Sequence, residues 1–94
     1  MATFLMFGRY SPKALGEIST ERTEKAAALI KKHGGEYKSG YALLGEHDLV
    51  PIVEFPGIEE AIKASVDLAK LLRISFSTAP AVTIEEFDKL IGRP

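Results

Sequence analysis

The sequence predicts an α+β domain of the ferredoxin-like βαββαβ type with one extra helix at its C-terminal end, and three observations carry that prediction. Four short apolar runs alternate with two helical segments in the order β, α, β, β, α, β. The second and third runs are parted only by a glycine-containing turn, which reads as a hairpin. Each helical segment then serves as a crossover, and two right-handed crossovers around a hairpin place both helices on one face of an antiparallel sheet ordered 4-1-3-2.

The first strand, β1, covers residues 2–10, an aromatic-rich apolar run that stops at Ser11-Pro12. Pro12 and Gly16 bracket a single helical turn. Ser19 is placed to cap a helix with Glu21 in its first turn, and this helix runs to His33. Lys31, Lys32 and His33 put positive charge near its last carbonyls, and Gly34 can adopt the left-handed conformation that ends helices.

Residues 36–44 form β2, with Tyr37, Ser39, Tyr41 and Leu43 alternating against Glu36, Lys38, Ala42 and Leu44. On that period Tyr37 and Tyr41 share a face, where they either pack or line a pocket. Gly45, Glu46 and His47 lead into β3, residues 48–55, in which Pro51 is awkward because proline cannot donate to a sheet ladder. From Ile58 to Leu72 polar positions recur every three to four residues, leaving Ala61, Ile62, Ser65, Leu68, Ala69 and Leu72 for a buried face. The fourth strand, β4, runs from Ile74 to Ala79 and ends at Pro80. Thr83 and Glu86 then form a capping box, Val82 and Phe87 a hydrophobic staple, for a last helix whose Ile84, Phe87, Leu90 and Ile91 should dock on the body before Gly92.

With 94 residues the chain fits a single domain, 1–94. A domain this short buries roughly 60 to 65 per cent of its unfolded surface and gains much from any added interface. Both faces of the central strands are apolar: Leu5 and Phe7 oppose Phe4 and Met6 on β1, and Val50 and Ile52 oppose Leu49, Val53 and Phe55 on β3. Helices can cover only one face. The other calls for a second sheet, so a homodimer or larger self-assembly is expected, closing into a dimeric α+β barrel.

Twelve basic against thirteen acidic residues leave no basic excess for phosphate, so nucleic acid is not expected as a partner. The absence of cysteine excludes disulfides, thiolate nucleophiles and thiolate metal sites. No run is long enough to span a bilayer, and a cytoplasmic protein without membrane partners is expected. No cofactor is implied. The two histidines, His33 and His47, stand in separate elements and make a poor metal set.

Because β1 runs antiparallel to both β3 and β4, its end lies beside the beginnings of those strands. That gathers Arg9, Tyr10 and Ser11 with Glu46, His47 and Asp48 of the β2–β3 turn, Arg73 and Ser75 of the β4 start, and Tyr41 nearby. A histidine beside a carboxylate and an arginine, here His47, Asp48 and Arg9, could abstract a proton next to a carbonyl and stabilise the enolate. The plain structural alternative makes His47 a solvated turn residue, Asp48 a partner of nearby backbone and Arg9 one half of an ion pair.

The run Tyr41-Ala-Leu-Leu-Gly-Glu-His-Asp-Leu-Val followed by Glu54-Phe55-Pro56 resembles the GYD domain family. The opening Phe4-Leu-Met-Phe-Gly-Arg-Tyr-Ser-Pro, the helix from Glu21 to Gly35, and Ser75 to Thr83 resemble the family's other blocks, so the similarity covers nearly the whole chain. The Gly-Tyr-Asp triplet that names the family corresponds to Gly45, His47 and Asp48, with Glu46 beside them and histidine at the aromatic position. The resemblance implies a dimeric α+β barrel and no established biochemical function.

Three functions follow as expectations. A barrel could hold a small organic molecule in a pocket on the open sheet face, with Arg9, Tyr10, Tyr41, Glu46, His47, Asp48 and Arg73 around it, either as a binding protein or as a cofactor-independent enzyme. An interaction module would instead have a filled, dry interface. RNA binding, suggested by the same element order in RNA-recognition domains, lacks its basic-aromatic signature in the run Asp48 to Phe55.

Overall fold

The computed structural model describes residues 1–93; Pro94, the last residue of the expected domain, lies outside them. The elements are β1 (Ala2–Tyr10), α1 (Pro12–Leu15), α2 (Thr20–Lys32), β2 (Glu36–Ala42), β3 (Leu49–Phe55), α3 (Ile58–Leu72), β4 (Ile74–Ala81) and α4 (Ile84–Ile91). The sheet order is β2-β3-β1-β4 with every neighbouring pair antiparallel, which is the predicted ferredoxin-like order counted from the other edge.

Local chemistry sets the helix ends. The Ser11 hydroxyl accepts the Ala14 amide proton with Pro12 opening α1, and the Ser19 hydroxyl accepts that of Arg22 to start α2. Gly34 takes φ +80 just after α2. α3 ends on Arg73 in the left-handed region at φ 58, and the Arg73 carbonyl accepts the Ser11 amide proton at 3.3 Å.

The register assigns the faces. Phe4 opposes Val53 and Gly8 opposes Leu49 beneath the helices, while Leu5 opposes Ile52 on the open face. Phe4, Met6, Val53 and Phe55 meet Ile30 of α2 and Ala61, Ala64, Leu68 and Leu72 of α3 in one core. The Phe4 and Phe55 rings sit edge to face at 6.0 Å.

Pro51 is absorbed without an inserted residue. Pairing lapses between Leu5↔Ile52 and Gly8↔Leu49, three residues apart on each strand, so the register is the same on both sides of the proline. A different irregularity alters β2. Tyr37 pairs with Val53 but Ser39 with Ile52, so Lys38 is an extra residue in a β-bulge. Tyr37 therefore packs on the core while Tyr41 pairs with Val50 of the open face, against the shared face that simple alternation predicts. β2 also ends at Ala42, earlier than expected.

Three further expectations are corrected. β4 continues through Pro80 to Ala81, pairing Phe4↔Pro80 and Thr3↔Ala81, because a sheet-edge strand tolerates a missing donor. Ile62 of α3, assigned to the buried face, is exposed; Ala64 is buried in its place. α4 begins and ends where predicted, with the Thr83 hydroxyl accepting the Glu86 amide proton at 3.0 Å, yet it does not dock: none of its residues is buried.

Candidate functional site

The end of β1 does meet the starts of β3 and β4, with Gly8↔Leu49 and Tyr10↔Ile74 as paired residues. Asp48 ties this end together. Its carboxylate accepts the Tyr10 amide proton at 2.9 Å, its own amide donates to the Gly8 carbonyl at 2.8 Å, and its carbonyl accepts the Leu43 amide proton at 2.8 Å. One residue thus joins the ends of β1 and β2 ahead of β3.

Around this knot Arg9 pairs with Glu46 at 3.4 Å, both largely exposed, and the His47 ring lies over Phe7 with centroids 5.3 Å apart. Arg9 pairs in register with Ser75 of β4. Gly45 takes φ +149 in the turn, a conformation that favours glycine. The topology therefore brings Arg9, Tyr10, Glu46, His47 and Asp48 to one end of the sheet. Arg73 enters through its backbone, and Ser11 is engaged as the cap of α1.

The chemistry here is modest. The Asp48 carboxylate serves the Tyr10 amide, and Arg9 has Glu46 for a partner. The His47 ring sits at a tilt against Phe7, and Tyr41 pairs with Val50 on the neighbouring strands. Among the described residues no three histidine or carboxylate side chains gather as a metal would require.

A concavity of the protomer itself lies on the other side of the sheet. A cleft of about 230 Å³ opens between α2, the end of α3 and the sheet, lined by apolar groups of Ile18, Ala26, Ile30, Leu49, Pro51, Leu68, Leu72, Ile74 and Phe76. The polar residues Tyr10, Ser19, Arg22, Thr23 and Tyr37 also border it. Of the residues expected from sequence to bind a ligand, Tyr10 lines this cleft and Tyr41, which the register turns to the open face, borders it at the sheet edge; Arg9, Glu46, His47, Asp48 and Arg73 do not.

The cleft owes its shape to two glycines and the bulge. A side chain at Gly8 would press on Leu49, Phe76 and Ile74 at 2.8–3.0 Å, and one at Gly40 would fall 2.2 Å from the Tyr37 hydroxyl. The bulge at Lys38 turns Tyr37 inward, so its phenol lies across Gly40 at the cleft. Arg22 reaches under the helix layer, donating to the Leu72 carbonyl and standing 3.7 Å from Glu17. Alternation alone could not expose this. The glycine at position 40 beside two tyrosines was the available signal.

His33, expected only to favour the end of α2, forms a further link. Its Nε2 lies 2.8 Å from Asp67 Oδ2 of α3, joining the two long helices.

Among curated proteins none matches the chain significantly in sequence. Solved structures match its fold. The leucine response regulatory protein LrpA of Mycobacterium tuberculosis superposes with a TM-score of 0.58 at 11% identity, covering 87% of this chain and 51% of the other. A crystal structure of a glutamate-to-alanine point mutant matches with a TM-score of 0.58 at 12% identity over 87% of this chain and 50% of its own. The chain thus spans about half the length of these structures, and the likeness is one of fold. No described helix is long and apolar enough to cross a membrane. With the GYD domain matching residues 4–91, from the first core phenylalanine to the end of α4, the chain belongs to the GYD domain family.

Proposed function

We propose that this domain is a self-associating module that binds a small, mostly apolar organic molecule in the cleft between α2 and the sheet. The cleft itself carries the proposal. Its walls are largely aliphatic and aromatic, with Tyr10, Tyr37 and Arg22 among its few polar residues, the composition of a site that encloses an apolar body and orients one polar end. A cavity of about 150 Å³ admits benzene. The larger space here suits a single ring or short branched chain, and hydroxyl and guanidinium donors favour a hydrogen-bond acceptor or an anion at its end.

Self-association is the second part of this reading. Leu5, Phe7 and Ile52 are half-buried on the sheet face that carries no helix, around an already buried Val50, and a second sheet is the simplest cover for what remains. Arg9, Glu46 and His47 would then rim the joint.

Native mass spectrometry of protein taken from its host tests both parts. An oligomer carrying a small molecule, lost in an Ala26→Phe variant that fills the cleft, supports the reading. An empty oligomer for both proteins favours a pure interaction module. A monomer overturns the sheet pairing.

A further inference from the structure

We propose that α4 docks on α3 of a second copy of this chain, through two apolar stripes that the protomer leaves uncovered. The first stripe is on α4 itself, where Ile84, Phe87, Leu90 and Ile91 are 76%, 50%, 67% and 71% exposed. This helix is well specified locally, with the Thr83 cap, acidic Glu85 and Glu86 in its first turn, and an Glu85 to Lys89 pair one turn apart at 3.8 Å. A helix of eight residues is nonetheless marginal in water without packing. Its sequence asks for a partner that its own protomer does not supply.

The second stripe is on the outer side of α3. Ile58, Ile62 and Val66 are 60%, 58% and 48% exposed, four residues apart, and so lie on one line of the helix surface. The inner side of the same helix supplies Ala61, Ala64, Leu68 and Leu72 to the core. Nothing in the hydrogen bonding or capping of α3 calls for isoleucine on the outer line.

The two stripes fit each other. Ile84, Phe87 and Leu90 follow an i, i+3 row and Ile58, Ile62 and Val66 an i, i+4 row, the pairing that packs helices about 20° from parallel or antiparallel. At the rise of an α-helix each stripe is about 10 to 12 Å long, so they match end to end. Seven apolar side chains from each of two chains, at about 60–120 Å² apiece when fully buried, bring a reciprocal contact toward the lower end of the stable dimer range.

The occupant is a second copy because of how α4 leaves the sheet. β4 stays paired with β1 through Ala81, only Val82 and Thr83 intervene, and Thr83 holds an extended cap conformation at φ −67 and ψ 157. That short, fixed link sends the helix outward, and the molecule is 50 Å long against 30 and 19 Å in its other dimensions. A two-fold pair can exchange such arms and bury all four stripes in a closed assembly. The contact uses surfaces apart from the open sheet face and stands whether or not the sheets pair.

The chain has no cysteine, so engineered thiols report the contact cleanly. Phe87→Cys protein is mixed with Ile62→Cys protein under mild oxidation, and the rate of mixed disulfide formation is compared with that for Phe87→Cys mixed with Glu24→Cys. The expected result is a rate about tenfold or more above the Glu24→Cys control, since docking raises the local concentration of the matched thiols. Equal rates overturn the proposal. A chain carrying both Phe87→Cys and Ile62→Cys that closes only on itself also overturns it, in favour of folding back onto its own α3.

Discussion

The Asp48 carboxylate accepts the Tyr10 amide proton at 2.9 Å, so an acid at the mouth of the β2–β3 turn closes the last residue of β1. Asp48→Ala should lower stability by about 1.5–3 kcal/mol, the range for a hydrogen bond to a charged acceptor. Urea denaturation measures the loss, and amide exchange should show the Tyr10 proton among those most accelerated. An unchanged Tyr10 amide would mean that the strand end is held by its pairing with Ile74 alone.

Much of this architecture is legible in the chain because its signals are local. Ser19, Thr83 and Gly34 announce helix ends by chemistry that acts within one turn, and the apolar runs sit where the strands form. The topological gathering of Arg9, Tyr10, His47 and Asp48 also follows from antiparallel pairing alone. What sequence could not supply was phase and partner. A single extra residue at Lys38 reverses which face Tyr41 takes, and helical period cannot say whether the apolar side of α4 finds a neighbour in its own protomer.

His33 and Asp67 join α2 to α3 at 2.8 Å, half-buried. A double-mutant cycle with His33→Ala and Asp67→Ala should return a coupling of about 0.5–1.5 kcal/mol. Because α2 contributes only Ile30 to the fully buried core, loss of this link should also loosen the helix that roofs the cleft. Faster amide exchange along α2 in either single variant would register that.

Gly40→Ala sets a methyl group where the Tyr37 hydroxyl lies, 2.2 Å away. Tyr37 must swing aside, and the expected outcome is a loss of about 1 kcal/mol together with a changed cleft mouth. Thermal unfolding and near-ultraviolet circular dichroism of the tyrosines report the two effects separately.

Met6 is fully buried at the centre of the core. Met6→Ala should cost about 2–5 kcal/mol, a large part of the stability of a domain this size. Phe7→Glu, one residue along and on the opposite face, should leave the fold intact and break the proposed sheet-mediated assembly. Analytical ultracentrifugation of the pair distinguishes a core position from an interface position.

The bulge in β2 works as a one-residue phase shifter on an otherwise strict two-beat rhythm. Deleting Lys38 would leave a regular ladder, with Tyr37 still opposite Val53 and Ser39 still opposite Ile52, so neither half of the strand would change face. The interior of β2 can therefore lose a residue at this one position and keep both faces, whereas a loss elsewhere would turn one half over unless the bulge closed to absorb it, and the inward-facing phenol is lodged there by arithmetic as much as by affinity.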